Sequence, residues 1–108
     1  MAKMLDFTKT RKPTLPIKLS DDLMVHVYTP SKALLEEMID AQDQIGNMAN
    51  DMESVDQFYD LVARLMSNNK TGRKLTGEEI SDLLNVDDLI VFFYAYTEFI
   101  SEQTNSKN

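Results

Sequence analysis

The sequence predicts an α+β domain: a small N-terminal antiparallel β-hairpin followed by a mainly helical body of three to four helices. Three observations carry this. Residues 15–27 alternate apolar and polar side chains on both sides of a short polar turn. Residues 34–66 place apolar side chains in alternating steps of four and three. Residues 76–100 hold a capping signature followed by a long apolar and aromatic run, DDLIVFFYAYTEFI. Period two marks a half-buried strand, and the four–three spacing marks a helix with one buried seam.

A chain of 108 residues with 43% hydrophobic residues reads as one domain with a modest core. Within it, residues 4–29 form the hairpin region, 30–66 a helical middle, 76–102 a C-terminal helix pair and 103–108 a frayed tail. Met4–Phe7 has the length of a short edge strand, and TKTRKP after it reads as a basic loop. In TLPIKLSDDLMVHVYTP, Leu15, Ile17 and Leu19 face one way, as do Leu23, Val25 and Val27 beyond Ser20-Asp21-Asp22. That is a hairpin with one buried face. Pro16 assigns its strand to an edge, because proline cannot donate to a ladder.

Thr29-Pro30 is a candidate helix start, with threonine as cap. The seam then runs Leu34, Met38, Ala41, Ile45, Met48, Met52, Val55, Tyr59, Val62 and Met66. Gly46 and Asn50-Asp51 are poor helix formers, and Ser54 with Gln57 resembles a capping box. Two helices joined near residues 46–53 are therefore expected over one bent rod. Thr76 with Glu79 forms a clearer capping box, opening a short helix over Gly77–Leu84. Asn85 interrupts it, and Asp87 and Asp88 begin the last helix, where the helix dipole favours acids.

Composition narrows the chemistry. Cysteine is absent, which removes disulfides, thiolate metal sites and cysteine nucleophiles. His26 is the only histidine and alternates onto the outer face of its strand. Glu36, Glu37, Asp40 and Asp43 lie off the apolar seam and read as a solvated helix face rather than an acid–base pair. SNNKTGRKLTGE places Gly72 and Glu78 as a calcium loop would, but Ser67, Asn69, Thr71 and Leu75 supply no further carboxylate. No catalytic role, metal or other cofactor is expected.

Net charge is −7, with residues 1–19 at +4 and residues 20–66 at −8. An acidic body disfavours nucleic acid as partner. LTGEEISDLLNV looks like the first half of a helix-turn-helix, so a small DNA-binding regulator using residues 75–100 is the alternative of a different class. Its reading helix would begin with acids and offer aromatic rings where arginine forks are needed. MAKMLDFTKT lacks the apolar block of a signal peptide, and no run reaches the ~18 apolar residues of a bilayer span. No membrane association is expected.

Projected on a helix, Val86, Leu89, Ile90, Phe92, Phe93, Tyr96, Phe99 and Ile100 cover about half the circumference, wider than an ordinary surface helix. Most of that arc belongs to a core. Val91 and Tyr94 fall outside it and are the first places to look for an association surface. The expected protein-binding set is Val91, Phe92, Tyr94, Tyr96 and Phe99.

The order of MLDF, a basic loop, the hairpin TLPIKLSDDLMVHVYTP running into TPSKALLEEM, an acidic helical middle and LTGEEISDLLNVDDLIVFFYAYTEFI resembles the small tail assembly chaperones of long-tailed bacteriophages, particularly those of Gram-positive hosts. The resemblance covers most of residues 4–102 and consists of residue-type patterns; GNMANDM has no counterpart in it. It implies a non-enzymatic protein of the infected cell's cytoplasm that binds the apolar, helical tape-measure protein and keeps it soluble. It further implies recruitment of tail-tube subunits, frequent self-association, a frequent longer form made by ribosomal frameshifting, and absence from the mature virion. A joining protein retained in the virion is the remaining alternative.

Overall fold

In the computed structural model the described residues are 4, 6, 12–46 and 51–105, the last without its side chain. Strands β1 (Thr14–Ser20) and β2 (Leu23–Tyr28) pair antiparallel, with Leu15 opposite Val27 and Ile17 opposite Val25. The hairpin is therefore the expected one, turning at Asp21-Asp22. No non-glycine residue among those described has a positive φ, so this turn is not of the primed type that suits strand twist. A bulge between Lys18 and Ser20 accommodates the mismatch instead. Of the expected Met4–Phe7 strand, Leu5 and Phe7 lie outside the described residues, and Met4 and Asp6 carry no strand.

The free edge of β2 is partly covered. Tyr28 N–H donates to Asn68 O (2.9 Å) and Lys70 N–H to His26 O (2.9 Å), forming a bridge at Val27–Asn69. His26 and Tyr28 thus aim their backbone groups away from β1, and the alternation of an antiparallel ladder does the same for their partners Pro16 and Thr14. The donor that Pro16 lacks is one that would have faced the open edge, so the ladder loses nothing.

Four helices follow: α1 (Lys32–Gln42), α2 (Met52–Ser67), α3 (Gly77–Leu83) and α4 (Val86–Asn105). Three starts refine the sequence reading. Helix α1 is capped by Ser31, not Thr29, and the Ser31 hydroxyl accepts from Leu34 N–H (3.2 Å). Pro30 therefore precedes the cap rather than occupying the first helical position. The middle is two helices, but Ser54 does not cap the second. Asp51 accepts from Glu53 N–H (3.1 Å) and from the Ser54 hydroxyl (2.8 Å). The Asp51 carboxylate is favoured at the positive end of the helix dipole, and it engages the Ser54 hydroxyl as a donor. Helix α4 begins at Asn85, whose carbonyl accepts from Leu89 N–H (3.1 Å) while Asp88 reaches back to its N–H (2.9 Å). It continues through Asn105, so residues 103–105, expected to fray, are helical.

The capping box at α3 is complete, with Glu79 N–H on Thr76 Oγ1 (3.1 Å) and Thr76 N–H on Glu79 Oε1 (3.0 Å). A Cβ at Gly77 would meet the Asp60 carboxylate on α2, an exposed side chain free to swing aside, and would lie 3.4 Å from the Asp60 backbone nitrogen. The first turn of α3 thus lies hard against α2.

Helix α2 is the centre of the core, burying Phe58, Leu61, Val62, Ala63, Leu65 and Met66 and touching α1, α3, α4 and β2. Its Phe58 ring meets Phe93 of α4 at 5.6 Å. On the hairpin side of α4, Tyr96 is stacked between Phe92 (5.3 Å) and Phe99 (6.2 Å). Two tyrosines carry polar tips into this layer. Tyr96 Oη donates to Tyr28 O (2.6 Å), tying α4 to the end of β2, and burial pushes its hydroxyl well above the usual range. Tyr59 Oη donates to Leu84 O (2.8 Å), pinning the elbow between α3 and α4.

Candidate functional site

The segment that imitated a calcium loop does structural work. Asn69 is buried and its amide makes four hydrogen bonds: Nδ2 donates to Met66 O (2.7 Å) and Arg73 O (2.8 Å), and Oδ1 accepts from Thr71 Oγ1 (3.1 Å) and Arg73 N–H (3.0 Å). Gly72, at φ 76°, supplies the left-handed step that closes this turn. The side-chain amide is fully used. Ser67 adds a second tie, accepting from Leu75 N–H (2.8 Å). Among the described residues no three His, Cys, Asp or Glu side chains converge in a way that would hold a metal ion.

The carboxylate run on α1 is divided by its partners. Glu37 receives Arg64 through both guanidinium nitrogens (2.6 and 2.7 Å), which fastens α1 to α2. The hydrogen bond from Arg64 holds the Glu37 carboxyl below its ordinary range, against a smaller opposing effect of burial. Glu36 pairs with Lys32 at 3.8 Å on the outer face. His26 is half-buried on β2, and its backbone carbonyl joins the bridge to Lys70.

Helix α1 buries only Met38, and it leaves a groove on each side. On the α2 side, a cleft of about 280 Å³ is lined by Phe58 and Leu61 but also by Glu37, Asp40, Gln44, Gln57 and Arg64. On the α4 side, a groove of about 200 Å³ has Leu35, Met38, Ile39 and Gln42 on one wall and Phe93, Thr97, Ile100 and Ser101 on the other. The second has no charged lining residue. Leu35 is 37% exposed and Ile39 57% exposed, large values for aliphatic side chains beside a core. We take the α1–α4 groove as the candidate site, because its lining is apolar and its walls are two rigid helices.

The five residues proposed from sequence divide in two. Phe92, Tyr96 and Phe99 are buried, with Tyr96 tied to the end of β2, and offer no surface to a partner. Val91 is 68% exposed and Tyr94 54% exposed. The Tyr94 ring meets the edge of Phe93 at 6.3 Å, so Tyr94 extends the apolar surface outward from the groove wall. Val91 lies one turn away on the same helix.

Leu35 and Ile39 are absent from the sequence-derived set. Their signal is present in LLEEMI, where the doublets Leu34-Leu35 and Met38-Ile39 widen the apolar stripe of α1 beyond its seam. The first member of each doublet follows the seam toward the core. The second faces the groove.

Comparison of the chain with family models, with curated proteins and with solved structures returns no match. Among the described residues no helix is long and apolar enough to cross a membrane.

Proposed function

We propose that this protein is a non-enzymatic tail assembly chaperone of a long-tailed bacteriophage, acting in the host cytoplasm and left out of the mature virion. Its client is the apolar, helical tape-measure protein, which it keeps soluble while tail-tube subunits assemble; self-association belongs to this reading. The observation that carries the proposal is the uncharged groove between α1 and α4, walled by Leu35, Ile39, Phe93 and Ile100 and extended by Tyr94. Such a groove accepts the apolar face of a helix through anchors spaced i, i+3, i+4 and i+7. Of the sequence-derived set, Val91 and Tyr94 remain contact residues, while Phe92, Tyr96 and Phe99 support them from within.

A DNA-binding reading of α3 and α4 has less in its favour. The N-terminal turn of α4 exposes Asp87 and Asp88, which would meet phosphates. A virion-retained joining protein is separated from a chaperone by mass spectrometry of purified particles, where the chaperone should be missing.

The direct test is co-expression with the tape-measure product of the same phage. Wild-type protein should hold it in the soluble fraction, and Leu35→Asp with Ile39→Asp should let it precipitate while circular dichroism stays unchanged. A folded double variant that solubilises as well as wild type would remove the groove from the function.

A further inference from the structure

The chemistry of the groove's rim specifies its ligand more narrowly than "apolar helix". Three outer groove-lining residues are followed in sequence by an acid at the groove's outer edge: Leu35 by Glu36, Gln42 by Asp43 and Thr97 by Glu98; Asp40, which follows Ile39, lines the α2-side cleft instead. One residue on a helix is a rotation of about 100°. Glu36, Asp43 and Glu98 therefore stand beside the apolar floor, and all three are exposed.

Among the described residues of α1 and α4, cations are scarce. Helix α4 contains Asp87, Asp88, Glu98 and Glu102 and no lysine or arginine. On α1 the only cation is Lys32, paired with Glu36. The nearby Arg64 is held by Glu37 on the opposite, α2-facing side of α1.

Resting on the chaperone reading above, we propose that the α1–α4 groove selects amphipathic helical segments whose apolar stripe is flanked by lysine or arginine. The stripe fills the floor between Ile39, Phe93 and Ile100. The flanking basic side chains lay their methylene stems along the groove edges and place their charges on the carboxylate rim. Leu35 to Gln42 is two turns, so the contact spans about 10 Å of ligand helix. Segments flanked by acids are rejected by like charge, which gives the site a means of choosing among apolar helices.

The test uses the full chain and two fluorescent helical peptides with one apolar stripe, one flanked by lysines and the other by glutamates. Anisotropy titration should show the lysine-flanked peptide binding about tenfold tighter at low salt, the sum expected of a few exposed charge pairs. High salt, or Asp43→Asn with Glu98→Gln, should shrink that gap without loss of helix content. Equal affinities would overturn the charge rule and leave the chaperone reading standing. Binding of neither peptide, with the tape-measure product still kept soluble, would overturn the groove as the client site. A chain peptide of residues 1–12, which joins Met4, Leu5 and Phe7 to Lys3, Lys9, Arg11 and Lys12, is the control for self-occupancy. Tight binding of that peptide, with no binding of the lysine-flanked helix, would also overturn the proposal. Loss of tape-measure solubilisation by wild-type protein would instead count against the chaperone function itself.

Discussion

Helices α1 and α2 are made of similar material, and over half the residues of each are apolar. Yet α2 buries six side chains completely enough to count as core, and α1 buries only Met38. The difference lies in neighbours: α2 is packed on by α1, α3, α4 and β2, and α1 lies at the margin with a groove on each side. Apolar content thus reports a capacity for contact, and position in the fold decides whether the contact is made internally. In α2 that capacity stabilises the domain. In α1 part of it is left for something else.

The contrast can be broken most strongly at the centre. Leu65→Ala on α2 removes a fully buried side chain and should cost about 2–5 kcal/mol in urea unfolding. A loss below about 1 kcal/mol would mean that α2 is not the organising helix.

Next in size is Asn69→Ala, which strands the backbone carbonyls of Met66 and Arg73 and the Arg73 N–H. The expected cost is about 2–3 kcal/mol, from leaving partly buried polar groups unpaired. If the variant were as stable as wild type, the turn after α2 would not depend on that amide.

The tie between the two helices is smaller and depends on pH. Arg64 lowers the Glu37 pKa in the folded state, so the unfolded chain binds the proton more readily. The pair therefore contributes above the ordinary carboxylate range, and the contribution is lost as pH falls through the lowered folded pKa. Both side chains are about half exposed, so the effect is only ~0.2–1 kcal/mol. The stability difference between wild type and Glu37→Gln should be visible at neutral pH and vanish in acid. A difference that persisted below the lowered pKa would assign it to packing.

The smallest expected change is at the groove. Ile39→Ser should shift stability by less than about 0.5 kcal/mol, because the side chain is already largely in water. The same substitution should weaken client binding. A large loss of stability would place Ile39 in the core and remove the sharpest contrast between α1 and α2.

Much of this architecture could be read before any coordinates. The hairpin followed from period two, and α3 from Thr76 and Glu79, because both signals are local and use short-range hydrogen bonds. The helix starts at Ser31 and Asp51 were misplaced by two or three residues, since neighbouring capping groups compete and the winner depends on backbone conformation and charge. The arc on α4 was legible as a whole, but its division was not. Tyr96 and Tyr94 are two residues apart and chemically alike, and one is buried against β2 while the other is exposed beside Phe93.

By itself, then, the sequence determined the order of elements, the buried face of the hairpin and the surplus of apolar surface on α1 and α4, all consequences of spacing along one chain. Only the tertiary structure decided where that surplus is spent. Periodicity states which side chains share a face, but not which other element covers it. Coverage depends on residues far away in the chain: Arg64 holding Glu37, and Tyr96 reaching Tyr28. In the folded chain α2 and the hairpin cover most of the apolar surface, and Leu35, Ile39 and Tyr94 are left at its edge.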